Sequence, residues 1–404
     1  MFRKRHPKDR SARRRGTTLV MSGVMMTMFL GFTALTVDVM VLSVARQQLG
    51  TTADAAALAG ARELATPARF VGEPDMPALM ANASERARFI ATENRVLGDS
   101  AMVLANAQNT PDGDIVFGHI PIRNGNIFPA EFNPSAGLMP SFNAVQVRAA
   151  RSQDRGGLVP NYFARVMGFN GSEVRVTSTA MAQLYDGAQG FQSTPGQNAD
   201  LLPIVLEESI YTQMMASNTT DKYTWNPETN TITEGVPDGI TESRLFPVES
   251  GNPGNWGTIN VGVNNNSTNT IRDQIEYGIT PQQLAQYPGS QITLSQTSPT
   301  TDRPSWTFEG NPGISAGMKS ALEAIKGQPR FVPIYEATGG NGNNAWYRVI
   351  KFMPARIVDV NFQGNPKYVI IQPAVVQDPT TILDWENRTD DWSTGGVVRL
   401  HLVR

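Results

Sequence analysis

From Gly16 to Val37 the chain runs without a single charge, and this stretch restricts its architecture more than any other feature. A hydrocarbon layer about 30 Å thick is crossed by roughly 20 apolar residues in an α-helix, at about 1.5 Å of rise each. The run meets that length. Before it stands a basic head (Arg3, Lys4, Arg5, Lys8, Arg10, Arg13, Arg14, Arg15), and after it Asp38, Arg46, Asp54 and Arg62 form a balanced set. Lys and Arg next to a span stay on the cytoplasmic side. Residues 1–15 therefore read as a cytoplasmic head and residues 16–45 as a single transmembrane anchor in the cytoplasmic (inner) membrane. The bulk of the chain is then periplasmic or extracellular. The rival reading is a cleaved secretory signal, whose apolar region is about 7 to 15 residues long and ends in small residues. Here the run is longer, and Thr-Ala-Leu-Thr-Val-Asp-Val-Met (residues 33–40) offers no Ala-x-Ala site.

Past the span, Val37 to Leu64 contains no Pro, and only Gly50 and Gly60 interrupt good helix formers. One helix can therefore leave the membrane and continue outward as a stalk. Its small residues, Ala53, Ala56, Ala57 and Ala61 among them, permit close backbone approach either to the chain's own domain or to a second subunit. Asp38 marks the outer end of the span. It has two readings: it offsets a charge on a neighbouring subunit, or it lies hydrated at headgroup level. Its place at the edge favours the second.

These residues carry a resemblance. Arg15-Gly16, the apolar span, Val37-Asp38, Ala45-Arg46-Gln47-Gln48-Leu49 and Ala53-Asp54-Ala55-Ala56-Ala57-Leu58-Ala59-Gly60-Ala61 resemble the N-terminal segment of the Tad (Flp) pilus-assembly family, the TadE/TadG-like proteins. The likeness is close as far as about residue 65 and looser to about residue 184. Its motif positions are Asp38, Arg46, Leu49, Asp54, Ala57 and Gly60. The resemblance implies a non-catalytic, membrane-anchored component of a Tad/Flp-type pilus or secretion system. Other Tad/Flp pilus-assembly or envelope proteins and the lipid bilayer would be its partners, with self-association left open. It also points to Gly16 as a prepilin-type processing position. The fifth residue beyond it, a Glu in type IV prepilins, is Met21 here. The Asp-x-Ser-x-Ser metal motif of larger TadG-like proteins does not occur, so metal-dependent adhesion is not carried over.

With 404 residues, 40% of them apolar and 17% charged, the chain can bury two ordinary cores. The net charge of −2 conceals +7 in residues 1–15, which leaves −9 elsewhere. An acidic exported part disfavours nucleic acid. Cysteine is absent, which removes disulfides, thiolate metal sites and Cys catalysis. Periodicity predicts a helix over 76–97, strands over 101–105, 114–120, 144–149 and 172–184, and a short helix closed by Gly168. Helix first and strands later implies α+β. The fold expected is a transmembrane helix running on into a stalk, a pilin-like α+β module over 46–184, a Gly- and amide-rich linker over 185–200, and a mostly β distal module over 201–404.

Chemistry is thinly signalled. His6, His119 and His401 are the only histidines, and no Gly-x-Ser-x-Gly elbow accompanies them. The run Gly339-Gly-Asn-Gly-Asn-Asn344 leads into a strand and lacks the Gly-Lys-Ser/Thr of a phosphate loop, so it reads as a hairpin loop. Asn264 to Asn269 offers N-caps for the helix that follows. The acidic residues Asp378, Asp384, Glu386, Asp390 and Asp391, interleaved with Trp385 and Trp392, are the candidates for a cation or carbohydrate site, although their spacing matches no EF-hand. No cofactor is implied. The alternative function is an envelope or surface binding protein, for carbohydrate or a cation, using the same anchor.

Overall fold

A computed structural model describes residues 11–71, 74–132, 136–246, 257–262, 267–312, 315–340, 344–363, 367–384, 386, 388–394 and 396–403. Helix α1 runs from Ser11 to Leu64 without a break. It contains no Pro to remove a backbone donor. Within its apolar part, Thr33 Oγ1 donates to the Phe29 carbonyl and Thr36 Oγ1 to that of Phe32, each at 2.8 Å. These hydroxyls are satisfied one turn back and do not depend on water. The helix stops where Thr66, preceding Pro67, is held extended (φ −113°, ψ 145°).

The two halves of α1 live in different surroundings. Phe29, Leu30 and Phe32 are exposed, whereas Ala45, Leu49, Ala53, Ala56, Ala57 and Ala61 are fully buried. That spacing lines one face of a 3.6-residue helix. Against it packs α2 (Met76–Glu93), whose first turn is capped by the Asp75 side chain accepting the Ala78 amide at 3.0 Å. Ala83, Ala87 and Ala91, four residues apart, form the buried stripe of α2. Helix α1 lies on an antiparallel sheet of β1 (Ile115–Gly118), β2 (Ala144–Arg151) and β3 (Val174–Tyr185), in which Ile115 pairs with Val147 and Val147 with Ser178, and α2 shares the core between them. Val145, Val147, Ala149 and Ala180 close this core from the sheet side. The strand expected over 101–105 reduces to one bridge, Met102 with Ala150. Nearby, the Asp114 carboxylate takes the Leu104 amide at 2.8 Å, a donor that a ladder would need.

A second, larger sheet is built on β4 (Pro304–Pro312), β5 (Pro329–Gly339), β6 (Ala345–Asn361) and β7 (Tyr368–Pro373). The central β6 pairs antiparallel with β4 (Phe308 opposite Tyr347), with β5 (Val332 opposite Met353) and with β7 (Ile357 opposite Ile371). Alternation along β5 sends Val332 and Ile334 to one core with Tyr211, Met214, Ile271 and Leu322, and Phe331 to another with Phe191, Tyr347 and Phe352. Gly339, the last residue of β5, stands opposite Trp346 near the start of β6, and residues 341–343 of the Gly- and Asn-rich run lie outside the described residues.

Two features cross the expected boundary at 185–200. Gly190–Gln192 is a strand between Gln291–Thr293 and Thr381–Ile382. Phe191 is buried there, edge-on to Phe331 and Phe352 at 5.2 and 5.1 Å. The last strand, β8 (Val397–Val403), returns to the first sheet and pairs antiparallel with β3 from Val397 opposite Tyr185 to Val403 opposite Thr179.

Candidate functional site

The candidate site is the stalk half of α1 together with the turn that meets it where the exposed apolar half ends. A Cβ added at Gly60 would lie 3.2 Å from Val145 Cγ1 and 3.5 Å from both the Ala83 carbonyl oxygen and Ala87 Cβ. Glycine here lets α1, α2 and β2 meet at one point. Leu49 and Ala57 are fully buried in the same seam. Asp54 accepts the Ser178 hydroxyl at 2.5 Å, joining the stalk to β3. Gln48 accepts the Leu97 amide at 2.8 Å. Arg46 is exposed, and Gly16 lies in the second turn of α1. The small-residue face is therefore covered by the chain's own module.

Asp38 departs from the hydrated position that its place in the sequence suggests. It is buried, at 4% exposure. Its Oδ1 accepts the Tyr162 amide at 2.7 Å and its Oδ2 the Ala164 amide at 2.7 Å, while the Phe163 amide lies 3.1–3.2 Å from both oxygens. These three N–H groups open the 3-10 turn Ala164–Met167, which Gly168 closes at φ +92°. The carboxylate is dehydrated because backbone donors replace water around it. In this way one acidic residue pins a turn of the folded module to the end of the apolar half of α1.

Residues 16–63 match the Flp pilus-assembly TadE/G-like family. Residues 45–180 match the Tad-like Flp pilus-assembly family. Together the two family matches cover residues 16–180. The two matches overlap on the stalk and together take in α1 beyond its basic first turns, α2, the Asp38 turn and much of the first sheet. No curated protein and no solved structure matches the chain.

Beyond the matched segment, four of the five acidic residues that sequence singles out are engaged one by one, and the fifth, Glu386, is exposed. Asp378 accepts the amide and hydroxyl of Thr380, both at 2.7 Å, and the Asp200 amide at 3.0 Å. Asp384 accepts the Glu386 amide at 2.9 Å, and Asp391 the Ser393 amide at 2.9 Å. Asp390 pairs with His119 Nε2 at 2.7 Å. Trp385 lies outside the described residues. Among the described residues no three His, Asp or Glu side chains gather as metal ligands. Trp392 is buried, with the Arg69 guanidinium 3.5 Å from its ring centroid and Phe70 stacked at 6.1 Å. That covering leaves Arg69's side of the ring closed to a sugar. Arg69 in turn donates to the carbonyls of Phe142 (2.7 Å) and Leu64 (3.3 Å). Burial lowers its pKa to about 9, so it remains a cation at neutral pH.

A surface hollow of about 360 Å³ is lined by Asp186, Arg303, Lys351 and Arg388 among others. Its charges are answered locally: Arg303 by Glu208 and Glu336, and Lys351 by Asp186 at 3.2 Å. His401, in β8, is driven towards the neutral form by burial and then by Arg399 and Arg388. Neither the Asp38 turn nor the Arg69–Trp392 stack is visible to sequence reading as a contact. The turn does leave a trace, in the apolar pairs Tyr162-Phe163 and Val166-Met167 followed by Phe169.

Proposed function

We propose that this chain is a non-catalytic, single-pass component of a Tad/Flp-type pilus or secretion assembly. Its basic head faces the cytoplasm, α1 spans the inner membrane, and the two sheet-based bodies stand outside, where they contact other pilus-assembly or envelope proteins. The observation that carries this reading is one uninterrupted helix with two environments. Its exposed apolar half is long enough to cross a bilayer, and its small-residue half is sealed into a module that matches the pilus-assembly family. A helix anchored at one end and packed at the other holds its module at a fixed height above the membrane. The sealed seam argues that partners meet the module's outer surfaces and not the stalk face itself.

The test is protease treatment of intact spheroplasts carrying a chain tagged at both ends. The carboxyl-terminal tag should be lost and the amino-terminal tag kept. Pull-down from detergent should recover other pilus-assembly components. A freely soluble full-length product, or a carboxyl-terminal tag that resists external protease, would contradict the proposal.

A further inference from the structure

We infer that the turn between Asn161 and Asn170 inserts its apolar tip into the outer interface of the bilayer beside α1, giving the protein a second lipid contact. This inference rests on reading α1 as the membrane anchor. Val166, Met167 and Phe169 are 88%, 72% and 63% exposed, and Tyr162 and Phe163 are exposed beside them. Scattered exposed apolar side chains need no explanation, but five large ones on one short turn form a patch that calls for an occupant.

The height of the patch identifies that occupant. Asp38 holds the amides of residues 162–164. From Thr18 to Asp38, at about 1.5 Å per residue, α1 rises about 30 Å, the thickness of the hydrocarbon layer. Val37, Val39 and Met40 around Asp38 are exposed too, so the tip extends the same apolar surface sideways at the level where the span ends. A protein partner could sit at any height, whereas lipid must be at this one.

The turn is also built for a dry setting. Asp38 takes its leading amides, the Phe169 amide returns to the Ala164 carbonyl at 3.1 Å, and the Asn161 amide reaches the Asn170 carbonyl at 3.3 Å. With these backbone groups occupied internally, the side chains are what the tip offers outward. Arg165, the one charge between Arg155 and Glu173, has a stem long enough to place its head among phosphates, and Tyr162 suits the interface in the same way.

The absence of native cysteine permits a direct measurement. Full-length Val166→Cys, Met167→Cys and Phe169→Cys would be labelled with an environment-sensitive fluorophore. Each would then be reconstituted in vesicles of phosphatidylcholine and phosphatidylglycerol. Leu30→Cys, in the span, and Glu228→Cys, on an exposed hairpin, serve as references. Labels at 166, 167 and 169 should be quenched several-fold more than the one at 228 by a spin label near the lipid headgroup, and several-fold less by aqueous iodide. Adding Val166→Asp should return the 169 label towards water. The inference is overturned if these labels behave like the one at 228 while that at 30 reads lipid. It is equally overturned if they are shielded from iodide without lipid quenching and cross-link to a second copy, which would make the tip a protein contact. If the label at 30 also escapes lipid quenching, the anchor reading fails together with the inference.

Discussion

A carboxylate at the end of an apolar helix must find donors, and Asp38 takes its own from a turn 124 residues further along the chain. Nothing local announces such a pairing. The sequence shows an acid at the edge of a span, for which water is the default partner, and the amides that displace water are fixed by tertiary structure. Replacing Asp38 by Ala leaves three N–H groups to find other partners, and the loss of such a cap loosens the local turn far more than the whole fold. Trypsin cleavage after Arg165 in detergent micelles should therefore quicken roughly tenfold in Asp38→Ala and less in Asp38→Asn, which keeps an acceptor. Equal rates in all three proteins would mean that the carboxylate does not hold the turn. A second acid makes a pH-dependent contribution. Glu242 is buried and accepts the Lys222 and Tyr223 amides at 2.8 and 3.2 Å. Burial pushes its pKa up from 4.5 to about 7; those amides pull the other way, and Asp221 and Asp238 add to the rise. Between these two values the folded protein holds a proton that the unfolded chain has released. The stabilisation it contributes is complete below about pH 4.5 and is lost as pH climbs through 7. Urea midpoints of the native protein should thus fall relative to Glu242→Gln across that window, and parallel curves would remove Glu242 from the account.

At the scale of elements, α1 is the most legible part of the molecule, because length, charge asymmetry and the lack of Pro are properties a helix expresses without help from elsewhere. Which partner its small face takes is not legible, since Ala53, Ala57 and Gly60 would suit a neighbouring subunit equally well. The structure resolves the choice through α2, whose Ala83 and Ala87 stand against Gly60. Other elements are hidden for identifiable reasons. Strand β4 begins and ends in Pro and carries Gly310 and Asn311 near its end, so its composition resembles a loop even though its centre pairs regularly with β6. Strand Gly190–Gln192 is too short to show alternation and is held by Phe191 packing on two other rings. The seam at Gly60 yields a graded prediction. Gly60→Ala gains helix propensity of about 1 kcal/mol, which offsets the tight 3.2 Å approach to Val145, so its stability should stay within about 1 kcal/mol of the native protein. Gly60→Leu must force α2 away and should cost roughly 1–3 kcal/mol or more. Thermal unfolding followed by circular dichroism separates the two, and a Leu variant as stable as the Ala variant would show that the seam has room to spare.

At the scale of the whole molecule, β8 links parts that are far apart in sequence. Its first residue, Val397, belongs to the core shared by Tyr185 and Phe352, and Val398 packs with Phe70 and Trp392. Leu400 and Leu402 lie against the core sealed by α1 and α2. The whole strand pairs with β3, from Tyr185 back to Thr179. Composition alone divides the chain at its Gly- and amide-rich stretch, because that stretch lacks periodicity, but a strand whose partner lies in the other half of the chain leaves no local trace of the pairing. Removing residues 397–404 would open the edge of β3 and uncover Ala182 and Leu184, a hazard for edge-to-edge association. It would also delete an element through which the core sealed by α1 and α2 and the core around Phe352 share side chains. The full chain should therefore lose its far- and near-ultraviolet signals together on heating. The truncated chain should lose them in two separated steps, or aggregate at a lower temperature than the full chain. If truncation leaves a single transition at an unchanged temperature, the cores are coupled elsewhere, and the strand Gly190–Gln192, which seats Phe191 between Phe331 and Phe352, is where the coupling would then have to be sought.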